Sequence, residues 1–260
     1  MKTVYNISIW AYLLLINIYA IFNAKAKLWI EGRKDIFKKI TAAVKDEKNT
    51  VWFHCASLGE FEQAKPIIQS YRVRYPDHKI LLTFFSPSGF NIQKNTQLAN
   101  WVFYLPHDTK GNAKKFLDIV QPIKAIFIKY EFWFNYLHEL NKKNIPVYSV
   151  SAKFRDNQPF FKYKWWGQQL TNMTHFFVQD KDSARLLKSI KISNHTISGD
   201  TRFDSVIKNS QAPIKIPLIE NFSKNKTTII CGSTWPKDEY LVVKYIKSFP
   251  EKKYIIAPHE

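Results

Sequence analysis

The chain is short of the residues that several common ways of building a protein require. Of its 260 residues only two are cysteine, two methionine and seven glycine. Cys55 and Cys231 stand far apart, each in an apolar strand-like run. They read as buried free thiols of a reducing compartment, not as a disulfide framework. The seven histidines are scattered, with no HxxxH pair and no His/Cys cluster, so no protein-only metal site is expected. No repeat of solenoid period is visible. Acid is scarce too: 21 Asp and Glu against 39 Lys and Arg leave a formal charge of +18. Such an excess favours an anionic partner, whether nucleic acid, an acidic membrane surface or a phosphorylated substrate. By itself it fits a solvated basic surface as well.

The N-terminal run 7–22, ISIWAYLLLINIYAIF, is almost wholly apolar but broken by Ser8 and Asn17. It falls a little short of the about 20 residues of a perpendicular span. It fits a short or tilted membrane anchor, or a helix lying in the interface. The segment NAKAKLW that follows is a poor signal-peptidase site. Lys25, Lys27, Arg33, Lys34, Lys38 and Lys39 come next, and by the positive-inside rule they keep the rest of the chain in the cytoplasm.

Beyond a basic helical segment, KDIFKKITAAV, strand-like and helix-like stretches alternate. TVWFHCAS, KILLTFFS, WVFYLP, KAIFIKYE, PVYSVSAK, HFFV and NHTISGD read as strands, most of them followed by amphipathic segments. This rhythm predicts an α/β fold, a parallel sheet with helices on both faces. NSQAPIKIPLIENFSKNK interrupts it and reads as a linker. TTIICGST, PKDEYLVVKYIKSF and KKYIIAP then begin a second βαβ set.

Polar and charged residues recur at the strand ends, where open parallel sheets bind ligands. In WFHCASLGEFEQAKPII, Ser57 and Gly59 lead into Glu60 at a helix start. Glycine at 59 would ease a tight turn. Ser57 and Glu60 have capping-box spacing, and Glu60 is equally placed to act as a general base. Ser86, Ser88 and Gly89 of SPSGF offer hydroxyls and N–H groups to an anion, or make an ordinary turn. Lys129 and Glu131 stand two apart, on one face if the strand KAIFIKYE includes them. Lys153 and Arg155 of SAKFRD suit a carboxylate or phosphate, or a solvated loop. SGDTRFD is a glycine turn with Arg202, and Gly232, Ser233 and Thr234 form a small-residue turn before a helix.

Taken in order, these motifs resemble the 3-deoxy-D-manno-octulosonic acid (Kdo) transferases of lipopolysaccharide synthesis. HCASLGEFEQAKPII, LLTFFSPSGF and YLPHDTKGNAKKFLDIVQPIKAIFIKYEFWFNYL carry the likeness, followed by VYSVSAKFRD, ISGDTRFD, ICGSTWPKDE and IIAPHE. Lys129 stands where many members have the first glutamate of an E-x-E pattern, and Ala257-Pro258-His259 replaces a Pro-Arg-His pattern. The resemblance implies a GT-B fold of two Rossmann-like parallel-sheet domains, the second present only as its first part because the family continues further. It implies an anchor over 1–27, an acceptor domain over 28–208, a linker over 209–226 and the start of a nucleotide-sugar-binding domain over 227–260.

The same resemblance implies inverting transfer of Kdo from CMP-Kdo to an anionic lipid A precursor at the cytoplasmic face of the inner membrane, with no cofactor and no metal. Glu60 would be the base. Ser57, Gly59, Ser86, Ser88, Gly89, Lys129, Glu131, Lys153 and Arg155 would bind substrate. Gly232, Ser233, Thr234, Pro258 and His259 would bind the nucleotide. Another GT-B enzyme with a lipid-linked acceptor, or an inactive fragment of one, are the alternatives. A nucleic-acid binder is disfavoured, since no recognisable binding module is present.

Overall fold

A computed structural model of the chain describes residues 1–45, 47–211 and 215–259. They divide into two compact units, Met1–Ile207 and Lys208–Glu260. The first opens with three helices, α1 (Lys2–Tyr19), α2 (Ala24–Glu31) and α3 (Ile36–Ala43). Strands and helices then alternate: β1 (Thr50–Cys55), α4 (Leu58–Arg74), β2 (Lys79–Phe84), α5 (Pro87–Gln93), β3 (Trp101–Tyr104), α6 (Lys110–Val120), β4 (Lys124–Ile128) and α7 (Phe134–Lys142). β5 (Val147–Ala152), α8 (Pro159–Lys162), α9 (Lys164–Leu170), β6 (His175–Val178), α10 (Lys181–Ser189), β7 (His195–Ile197) and α11 (Arg202–Gln211) complete the series.

The strands form one seven-stranded sheet in the order β3-β2-β1-β4-β5-β6-β7, parallel throughout. The expected α/β sheet is therefore present. β1 is buried along its whole length, as a central strand covered on both faces must be. Val51, Phe53 and Cys55 face a cluster with Phe61, Ala64 and Ile68 of α4. Trp52 faces the opposite way, into a larger cluster with Phe116 of α6, Tyr136 and Leu137 of α7, and Leu187 of α10. The pairing order reverses at β1: the chain goes to β2 and β3 on one side, then returns to place β4 on the other. The carboxyl ends of β1 and β4 flank that switch point, where such sheets open a crevice.

The membrane-spanning anchor is not found. Among the described residues no helix is long and apolar enough to cross a membrane. α1 has 18 residues, about 27 Å at 1.5 Å per residue, and Ser8 and Asn17 interrupt its apolar surface. Its first turns are docked instead. Tyr5 donates to Asp108 Oδ2, Asn135 Nδ2 donates to Asn6 Oδ1, and the Tyr5 ring packs on Phe134, Trp165 and Trp166. Ile7, Trp10, Leu14, Leu15, Ile18, Ile21 and Phe22 remain exposed.

Residues 209–226 hold the end of α11 and a further helix, α12 (Pro217–Ser223). Residues 212–214 of this predicted linker lie outside the described residues, as does Glu260. In the second unit β8 (Thr228–Thr234), α13 (Pro236–Ser248) and β9 (Lys253–Pro258) make one parallel βαβ turn.

Gly89, in the first turn of α5, is a point of close approach. A Cβ there would lie 2.4 Å from Phe84 Cδ1 and 3.1 Å from the Leu58 amide nitrogen. Gly89→Ala is expected to cost about 1–3 kcal/mol by overpacking, read as a lowered urea midpoint. An unchanged midpoint would mean that α5 does not seat against β2 as described.

Candidate active site

Glu60 sits in the first turn of α4, directly beyond the end of β1. Ser57 is the N-cap residue by backbone conformation, with φ −144° and ψ 173°, but its side chain makes no capping hydrogen bond. The capping box expected from the sequence is thus not formed: Glu60 Oε2 accepts from the Ala56 N–H, one residue before the N-cap, and not from that of Ser57. Gly59 lies inside the helix and makes no tight turn. A Cβ there would meet nothing closer than Ser57 Oγ at 4.0 Å, so the position leaves open space beside Glu60.

Lys129 and Glu131 reach the same crevice from β4, though not from the strand itself. β4 ends at Ile128, and Lys129 takes a left-handed φ of +59°. The turn is pinned by the Lys129 N–H donating to Val150 O at 2.9 Å and by Ser149 Oγ donating to Lys129 O at 2.6 Å. The predicted shared strand face is therefore replaced by a fixed turn. A second tether holds its far end. Trp133 Nε1 donates to His54 Nε2 at 3.1 Å, and the Nδ1 of that ring meets Thr83 Oγ1 at 2.9 Å. Trp52 Nε1 donates to the same threonine oxygen. Because His54 Nε2 accepts, Nδ1 carries the proton and donates. Burial drives the imidazole down to about 3, so it is neutral.

Electrostatics follow from this packing. Glu60 is only 6% exposed. Burial, reinforced by the neighbouring Glu131, pushes its carboxyl up to about 8, against the lowering effects of the Ala56 N–H and Lys129. Burial raises Glu131 as well, and Lys129 opposes it. Two crowded carboxyls and one cation at a crevice make a group able to take a proton near neutral pH.

Several residues beside this pair were not singled out from the sequence. Gln63, one turn after Glu60 on the same helix face, donates from Nε2 to Ser151 Oγ at 3.2 Å and to Asp200 Oδ1 at 3.0 Å. Its Oε1 is buried without a partner. Ser151 is held at φ +55° and receives Gln179 Nε2 on its carbonyl and hydroxyl oxygens. Asp200 fixes Arg202 at 2.6 Å, and that guanidinium holds the carboxyl down to about 2. The i, i+3 spacing of Glu60 and Gln63 was the available signal for this group.

The other predicted residues fall elsewhere. Ser86 and Ser88 share an exposed hydrogen bond of 2.8 Å at the start of α5. Lys153 is committed to Asp180 at 3.0 Å. Arg155 is exposed, and its backbone N–H donates to Gln158 Oε1. In the second unit, Gly232, Ser233, Thr234, Pro258 and His259 lie together at the ends of β8 and β9. Ser233 Oγ meets His259 Nδ1 at 2.8 Å, and the His259 N–H donates to Thr234 O at 2.9 Å. The His259 ring lies 4.5 Å from that of Trp235. Both cysteines are free thiols, Cys55 buried and Cys231 partly so. No group of three or more His, Cys, Asp or Glu side chains able to hold a metal occurs among the described residues.

The sequence profile of the family described as 3-Deoxy-D-manno-octulosonic-acid transferase (kdotransferase) matches residues 31–205. The chain belongs to this family. Curated relatives named 3-deoxy-D-manno-octulosonic acid transferase include those of Rickettsia conorii, 27% identical over 82% of this chain and 47% of the relative, and Haemophilus influenzae, 26% identical over 80% and 51%. The chain spans about half the length of the curated relatives it matches. Among solved structures it is similar in fold to UDP-GlcNAc 2-epimerase of Neisseria meningitidis, with TM-score 0.58, 16% identity and coverage of 80% of this chain and 64% of that one. It is similar also to S. aureus MnaA in complex with UDP, with TM-score 0.61, 9% identity and coverage of 82% and 62%. These neighbours support a GT-B-like fold for the family member described here.

A buried acid raised to about 8 binds a proton in the folded state that it lacks in the unfolded one between about pH 4.5 and 8. Its contribution to stability is full below that window and is lost as pH rises through about 8. Glu60→Gln removes the loss. Urea unfolding should therefore show Glu60→Gln gaining on the parent by a few kcal/mol between pH 5 and pH 9, at about 1.4 kcal/mol per unit. An equal difference at both pH values would mean that the carboxyl is not held neutral by burial.

Proposed function

We propose that this protein, whose chain spans about half the length of the curated relatives it matches, transfers Kdo from CMP-Kdo to the anionic lipid A precursor, with inversion and with Glu60 as general base. The observation that carries this reading is the buried Glu60 carboxyl, raised to about 8 at the topological switch point of a family member. As the acceptor hydroxyl oxygen bonds to the anomeric carbon, the bond from that carbon to the CMP phosphate oxygen breaks. CMP departs with the bonding pair, and the hydroxyl proton passes to Glu60. No cofactor or metal enters the step. Glu131 keeps Glu60 basic by charge crowding, and Lys129 offers its ammonium to substrate anions. Ser57, Ser86 and Ser88 offer hydroxyls to the acceptor, while the open space at Gly59 admits it and Gly89 lets α5 seat closely against β2.

Gly232, Ser233, Thr234, Pro258 and His259 are assigned to the nucleotide. Lys153 and Arg155 serve substrate anions in this reading, although Lys153 must first exchange its ion pair with Asp180. The enzyme works at the cytoplasmic face of the inner membrane. The exposed apolar residues of α1 and of the turn after it, from Ile7 to Phe22, lie in the interface without crossing it.

A transfer assay with labelled Kdo tests this. Glu60→Ala should lower kcat by at least about 10²-fold with an unchanged circular dichroism spectrum. In the parent, kcat/KM should climb with pH and level off above about 8, as Glu60 loses its proton. Near-normal turnover in the variant would remove Glu60 from the base role.

A further inference from the structure

Arg33 is the most deeply buried cation of the first unit, 7% exposed, in the turn that follows α2. By sequence it is one of the basic residues that follow the apolar N-terminal run; the fold buries it. Its Nε donates to Leu105 O at 2.9 Å, Nη1 to Trp29 O at 2.8 Å and Nη2 to Phe85 O at 2.7 Å. Its guanidinium carbon lies 4.0 Å from the Trp29 ring centre and 4.8 Å from that of Tyr104. Gly32 permits this stacking, because a Cβ there would lie 2.1 Å from Tyr104 Cε2. Burial pulls the guanidinium down to about 9, which leaves it charged at neutral pH. Among the described residues no carboxylate pairs with it within 4.0 Å. Carbonyl dipoles and ring faces compensate a buried cation only in part, and two of its five N–H groups remain for a further acceptor.

Arg33 opens onto a cavity of about 340 Å³ that Lys115 of α6 and His107 also line. Asp35 and Lys38 stand in the same lining and pair with each other at 3.6 Å, so the uncompensated charge is that of Arg33 and Lys115. The His107 ring stacks on Trp29 with 4.8 Å between centres. Burial keeps it neutral, down to about 4, and its Nδ1 is buried without a hydrogen-bond partner. Two cationic groups around one hollow match a doubly charged tetrahedral oxyanion.

The hollow is joined to the candidate active site through Phe85. The Phe85 carbonyl receives Arg33, and its ring lies 4.9 Å from that of Trp133, the residue tethered to His54.

We propose that this cavity is an anion subsite for a phosphomonoester and, resting on the transferase reading above, that the phosphomonoester is borne by the acceptor. Calorimetric titration of inorganic phosphate into the 260-residue chain reads the subsite with no donor sugar present. One saturable site is expected, weakened about tenfold by Lys115→Ala, consistent with loss of one charge-assisted contact. It is expected to be abolished by Lys115→Glu and unchanged in Lys164→Ala. Lys115 and Lys164 are exposed, and circular dichroism checks the fold of each variant. No saturable binding, or binding indifferent to Lys115→Glu, would overturn the subsite.

A second arm distinguishes a lipid headgroup from free phosphate. Vesicles of phosphatidic acid should outbind phosphatidylglycerol vesicles, and Lys115→Glu should erase the preference. Equal binding of both lipids would count against a phosphomonoester site. In the transfer assay, Lys115→Glu should raise the acceptor KM only for the phosphorylated acceptor. Phosphate binding that survives where transfer is absent would sink the transferase reading and the acceptor assignment while leaving the anion site standing.

Discussion

Strand β1 is hydrogen-bonded in parallel to β2 on one edge and to β4 on the other, and the chain leaves its two neighbours in opposite directions. Everything at the candidate site depends on that arrangement. Loops that follow adjacent strands on the two sides of a reversal diverge, and the gap between them has no backbone of its own to fill it. The loop after β1 delivers Glu60 into the gap, and the loop after β4 delivers Lys129 and Glu131. Both strands are buried on both faces, so the carboxyls arrive in a setting already short of water. The aromatic network below, from Trp52 through His54 to Trp133, fixes the second loop to the first strand.

The helix start and the burial pull Glu60 in opposite directions. An acid in the first turn of a helix is favoured as carboxylate by about 0.3–1 kcal/mol, and the Ala56 N–H adds to that. Desolvation and Glu131 move the group from 4.5 to about 8, which at about 1.4 kcal/mol per unit is several times larger. Burial therefore decides the protonation state. The overall charge of +18 has little bearing at this point: the charged groups that act on Glu60 there are Glu131 and Lys129.

Much of this architecture was legible beforehand because it rests on local pattern. The apolar runs of β1 to β6 and their rhythm announced a parallel sheet, and the polar residues at the strand ends marked its working edge. What escaped detection depends on the fold in three dimensions. Lys129 and Glu131 look like residues of one strand until the left-handed turn at Lys129 is seen. The i, i+3 spacing ties Gln63 to Glu60, but Ser151 and Asp200 join it from distant segments that no spacing rule connects. Lys153 looked available to a ligand but is paired with Asp180. Arg33 belonged by sequence to a basic stripe beside an apolar helix, yet it is enclosed by the rings of Trp29, Phe85 and Tyr104. The N-terminal apolar run misled in a different way. Hydropathy alone does not show that its first turns are spoken for by Asp108 and the rings around Tyr5.

The imidazole of His54 accepts at one nitrogen from a half-buried Trp133 and donates at the other to a fully buried Thr83. That makes the position a directional adaptor between two segments rather than a space-filler. A phenylalanine would match its volume but leave the Trp133 indole N–H without its acceptor and take one of the donors from the Thr83 hydroxyl, which keeps that of Trp52. Asparagine could match its donor and acceptor but not its reach. Variation here is therefore narrow for a reason independent of any contact with substrate: an invariant histidine in such a strand would record the wiring of the scaffold, and would be misread if taken as a sign of acid–base chemistry.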